Sequence, residues 1–125
     1  MDEQGALIFA HIMMVVSTIM PGIIMKMVDL DKPNKLMGYR TPWSTKSKDT
    51  WRYANTKSAE YILWMALVTI TIQLTTYFLI DPLTSILIAA CALVIGLAAA
   101  MIITEMGLRK NFDNEGRPKL DVDRF

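Results

Sequence analysis

Apolar and polar positions fall in long blocks along this chain. Three blocks are apolar for about twenty residues or slightly more: residues 5–27, 58–80 and 82–106. A helix rising ~1.5 Å per residue needs ~20 apolar residues to cross ~30 Å of hydrocarbon. None of the blocks alternates with period two, as a barrel strand would. Lipid offers no partner for free backbone groups, so three transmembrane helices are the reading. Pro21 and Gly22 mark a candidate kink near the end of the first helix. Asp81-Pro82 separates the second and third blocks, with Asp81 as N-cap and Pro82 in the first turn. Those two helices therefore form a tight hairpin.

The polar blocks are a loop over residues 28–57 and a tail over residues 107–125. In the loop, Asp31-Lys32-Pro33-Asn34 is turn chemistry. Ser47 is a candidate N-cap, with Asp49 in the first turn, so a helix can start there and run into the second span. Trp51, Asn55 and Ser58 then share one helix face. Trp43, Trp51, Tyr53 and Tyr61 suit an aromatic belt at the membrane surface. The tail carries Asn-Glu-Gly and Arg-Pro turn signals, and is read as a partly irregular extension that docks on the loop or on a partner.

Composition agrees with the block pattern. With 125 residues and 53% hydrophobic, the chain is one membrane domain; a soluble fold this small would struggle to bury so much apolar surface. The net charge of +1 gives no sign of nucleic-acid binding, but its distribution is informative. Of the 13 Lys and Arg, eight lie between Lys26 and Lys57, and five are Arg109, Lys110, Arg117, Lys119 and Arg124. The N-terminus and the hairpin turn have none. The positive-inside rule then places loop and tail in the cytoplasm and the N-terminus outside. The start of the chain lacks the basic region of a secretory leader, so the first apolar block is read as retained.

Candidate chemistry is sparse. The single His and single Cys form no metal set, and no phosphate loop or nucleophile motif is present, so no catalytic residue, metal or cofactor is expected. Cys91 reads as a small hydrophobe. Polar groups within spans are costly and worth naming. His11 and Gln73 both sit roughly 9–10 Å below the outer surface at ~1.5 Å per residue, with Thr84 and Ser85 near them. They suit a small polar cluster in the outer leaflet: either His11 snorkels and Gln73 bonds a neighbouring backbone, or they line an outward-facing groove for a hydrophobic peptide. Glu105 falls level with Lys26 and near Lys57; it either forms an ion pair there, extending to Arg40 and tying loop to bundle, or is a solvated carboxylate at the interface. Ala92, Gly96 and Ala100 form a small-residue stripe for internal packing or self-association.

The loop has a more specific signal. Within NKLMGYRTPWSTKSKDTWRYAN, the residues Asn34, Gly38, Arg40, Thr41, Pro42, Trp51 and Asn55 stand in the order and spacing of the SdpI-family signature. The resemblance covers residues 34–80; the first and third spans match only as hydrophobic helices. It implies a bacterial cytoplasmic-membrane protein. The family's namesake protects a producing cell from its own secreted toxic peptide and holds a transcriptional repressor at the membrane. The namesake has about twice as many spans, and many short relatives have no established role. The resemblance thus suggests an all-α integral membrane protein whose structured cytoplasmic loop joins helices one and two. In that loop Arg40 is the expected anchor, Asn55 ties the loop to the second helix and Trp51 packs beneath. Three functions remain open: immunity to a toxic peptide, an accessory subunit of a membrane complex, and a sensor that recruits a cytoplasmic regulator.

Overall fold

The computed structural model describes residues 2–119; Met1 and the end of the tail, including Arg124, lie outside them. Three helices account for most of the chain: α1 (Glu3–Lys26), α2 (Lys48–Leu79) and α3 (Pro82–Asn111). The described residues contain no strand, only one antiparallel bridge between Phe112 and Pro118. All three helices are long and apolar enough to span a membrane.

The caps follow the local chemistry. Asp2 accepts from the Gly5 N–H at the start of α1. Ser47 and Thr50 exchange hydrogen bonds in a capping box that starts α2, ahead of the apolar block it continues into. Asp81 caps α3, with Pro82 in its first turn. α1 continues through Pro21 to Lys26 without interruption.

α2 packs against both other helices, while α1 and α3 touch each other less. Only 17–22% of the most apolar stretch of each helix is buried in the protein. The remaining apolar surface needs lipid, because water would make its exposure untenable. The small-residue stripe is used internally: Gly96 and Ala100 are buried, and a Cβ at Gly96 would lie 3.1 Å from Met65 Cβ on α2.

Helix length sets the shape of one end. Gly22 packs on Leu63, which places the end of α1 level with about Ser58 on the antiparallel α2. α2 begins at Lys48, so it overhangs α1 by roughly 15 Å at ~1.5 Å per residue. α3 extends to Asn111 beside it. The loop fills the niche above the shorter helix. The cluster of buried hydrophobic side chains lies there: Tyr39, Tyr53, Ala54, Leu108 and Phe112, with Met25 and Trp43 against it.

Candidate functional site

The loop folds into a cap held from three sides. Trp51 is fully buried, and its Nε1–H donates to the Asp29 carbonyl at 2.8 Å, tying the chain just past α1 onto α2. Asn55, also on α2, accepts from the Tyr39 N–H at 2.7 Å and donates to the Trp51 carbonyl at 2.9 Å. The Tyr39 hydroxyl donates toward α3, 2.9 Å from Glu105 Oε2 and 3.1 Å from the Met101 carbonyl. The Thr41 hydroxyl reaches the same Glu105 oxygen at 3.0 Å. Gly38 permits the turn that aims Tyr39 inward. Its φ is +111°, and a Cβ there would lie 2.6 Å from Asn55 Oδ1 and 2.9 Å from Trp51.

Ser44 is the second knot. Its hydroxyl donates to the Tyr39 carbonyl at 2.9 Å and accepts from the Thr41 N–H at 2.8 Å. Thr50 Oγ1 lies 3.1 Å from the Ser44 carbonyl. The tail closes the cap. Ser47 Oγ donates to the Gly116 carbonyl at 2.6 Å, and Lys46 Nζ to that of Asn114 at 2.9 Å. Lys46 also stacks over Trp43, 3.6 Å from its ring centre. Phe112, fully buried, meets Tyr53 edge-on. Asp113 organises the tail turn by accepting from the Arg117 and Glu115 N–H groups, each at 2.9 Å. Those bonds, the Arg117 one foremost, hold its carboxyl below the ordinary aspartate range. Tyr39 moves the other way: burial first, then the bond to Glu105 and its charge, push its hydroxyl well above the ordinary tyrosine value.

Three expectations need correcting. Arg40 is exposed and holds no carboxylate; its Nη1 donates to the Lys35 carbonyl at 2.6 Å. The extended segment alternates, so Tyr39 and Thr41 point toward α3 and Arg40 points away. Glu105 therefore binds two hydroxyls, and among the described residues it makes no ion pair with Lys26, Lys57 or Arg40; Lys57 pairs with Glu60. Trp51 packs beneath the loop as expected, but neither it nor Tyr53 belongs to a lipid-facing belt. They line the niche that the overhang creates, and Trp64 is the tryptophan that faces out, at 65% exposure. Of the remaining signature residues, Asn34 is exposed and accepts from the Leu36 N–H at 2.8 Å, and Pro42 is exposed at the start of a turn. Tyr39, Ser44, Thr50 and Phe112 were missed. Tyr39 occupies the variable position between Gly38 and Arg40. Thr50, three residues after Ser47, carried the capping-box spacing.

The opposite end holds a smaller polar cluster. Gln73 Nε2 lies 3.0 Å from His11 Nδ1 and 3.1 Å from the His11 carbonyl, which fixes the amide orientation. An amide nitrogen only donates, so His11 Nδ1 accepts and its proton sits on Nε2, 3.1 Å from the Pro82 carbonyl oxygen. Ser85 Oγ donates to the Gln73 carbonyl at 3.2 Å and lies 2.8 Å from Thr76 Oγ1. Thr84 stays outside the cluster, exposed at the start of α3. Gln73 Oε1 is buried without a hydrogen-bond partner. His11, Gln73 and Tyr77 are the polar residues lining a largely apolar groove of about 330 Å³ between α1 and α2, with Ile8, Ile12, Leu74 and Phe78 among its walls. No group of His, Cys, Asp or Glu among the described residues is arranged to hold a metal.

A lipid-dependent bundle of three spanning helices, with one end sealed by a folded loop, defines a multi-pass membrane protein. The model of the SdpI/YfhL protein family matches residues 31–105, which takes in most of the loop, all of α2 and most of α3. The chain belongs to that family. No curated protein and no solved structure matches it.

Proposed function

We propose that this chain is a membrane immunity protein of the SdpI type, binding a hydrophobic toxic peptide within the bilayer without catalysis. The observation that carries the reading is the groove between α1 and α2 at the hairpin end. Its apolar walls suit a peptide side chain, and its polar lining is the His11–Gln73 pair with Tyr77 against the His11 ring. Gln73 Oε1 is a buried acceptor lacking a donor, which a peptide backbone N–H would reach only as α1 and α2 part around it. Lys and Arg are concentrated at the other end, so the positive-inside rule turns this groove outward, toward a secreted peptide. The proposed location is the bacterial cytoplasmic membrane, with the N-terminus outside and the C-terminus in the cytoplasm.

The test is purification of the tagged chain from its native membrane in mild detergent, with mass analysis of what accompanies it. A small peptide that is retained by the parent chain and lost from a Gln73→Leu variant supports the reading. Cells expressing the parent should then survive that peptide better than cells expressing the variant. A protein partner at fixed ratio, with no peptide and no protection, would replace this reading with that of an accessory subunit. A soluble regulator retained through Lys46 and Lys48 would favour the sensor.

A further inference from the structure

The signature arginine is exposed although its neighbours are not. Tyr39 is 8% exposed and Ser44 fully buried, both held by α2, α3 or the loop itself. Arg40 adds only the bond to the Lys35 carbonyl. That bond closes the turn over residues 35–40 and leaves the other guanidinium donors free. No carboxylate among the described residues lies within ion-pair reach of it. Beside Lys35 stands Leu36, 92% exposed, followed by Met37, 39% exposed.

The height of this turn gives the exposure a meaning. Asn55 holds the Tyr39 N–H about one helical turn beyond the end of α1. That is the zone where the spans leave hydrocarbon, and headgroups occupy the next several ångströms. Charge points the same way. Lys26, Lys32, Lys35 and Arg40 stand against Asp29 and Asp31, and Asp31 is already paired with Arg52.

We propose that Lys35, Leu36 and Arg40 form a docking site for an anionic phospholipid of the leaflet that the cap adjoins. The Arg40 guanidinium and Lys35 ammonium hold the headgroup phosphate, for which the planar fork is suited. Leu36 enters the acyl-chain boundary. The cap is thereby pinned to the membrane surface through a residue that its own folding does not require. This site lies at the other end of the molecule from the peptide groove and does not depend on it.

The test uses the full chain with Cys91→Ser and Leu36→Cys, spin-labelled at position 36. It is reconstituted in phosphatidylcholine alone or with phosphatidylglycerol added. In the mixed vesicles the label should be more accessible to oxygen than to a water-soluble nickel chelate. Adding Lys35→Gln and Arg40→Gln should return it to water. Retention of phosphatidylglycerol in native mass spectra should fall about fivefold in Arg40→Gln, the loss expected for one cation near an anionic surface. A label that stays in water in both compositions would overturn the proposal. So would insertion that is indifferent to the two glutamine substitutions. Thermal unfolding separates the roles: Arg40→Gln should melt close to the parent, and a drop as large as that of Gly38→Ala would make Arg40 a structural tie instead.

Discussion

The two ends of the bundle solve different problems with polar side chains. At the loop end, Trp51, Asn55, Tyr39, Ser44 and Thr50 bind backbone groups of an irregular chain around a fully packed aromatic cluster. At the hairpin end, His11, Gln73 and Ser85 join helices whose own backbones are already satisfied. The first set replaces the missing regularity of the loop; the second only adds cross-links. Hydrogen bonds between spans are worth about 0.6 kcal/mol on average, because the separated helices find other partners in the membrane. A buried loop backbone has no such alternative. The cap should therefore be the more sensitive end.

Four substitutions or conditions probe that difference. Trp51→Ala empties the middle of the cap and removes the bond to Asp29; a loss of about 3–5 kcal/mol is expected in thermal or denaturant unfolding in detergent. Gly38→Ala strains a left-handed backbone and drives a methyl into Asn55 and Trp51, for about 3 kcal/mol by the same measurement. Gln73→Leu should cost only about 0.6 kcal/mol, since it also removes an unpaired buried oxygen. If Gln73→Leu proved as damaging as Gly38→Ala, the contrast between the ends would fail. The finest probe is pH. Burial and Glu105 raise the Tyr39 hydroxyl above the ordinary value of 10.0, so the unfolded chain loses this proton first as pH climbs. The contribution is complete below that value and declines as pH rises beyond it toward the folded-state value. Melting curves should show that decline in the parent and a shallower one in Tyr39→Phe.

The spans were legible because bilayer thickness imposes a length that composition reveals directly. The start of α2 was legible from Ser47, and the shared depth of His11 and Gln73 from span length, but not that the two side chains bond each other. The role of Arg40 was not. Counting charges favours an arginine–glutamate tie, but Gly38 sets the phase of the extended segment, and that phase gives Glu105 the Tyr39 and Thr41 hydroxyls. Trp51 was expected beneath the loop and lies there, whereas the inward turn of Tyr53 was hidden for a related reason. It depends on α1 ending short of α2, a difference in helix length that apolar blocks do not report.

The reach of the cap bonds constrains how the protein is made. Tyr39 and Thr41 find Glu105 across sequence separations of 66 and 64 residues, and Ser47 finds Gly116 across 69. During synthesis the first helix and the whole loop emerge well before the segment that supplies these partners. The loop must wait at the membrane surface until the last helix has been threaded. Only then can Phe112 and the tail turn close over it, so the cap seals after α3 is in place rather than as the loop emerges.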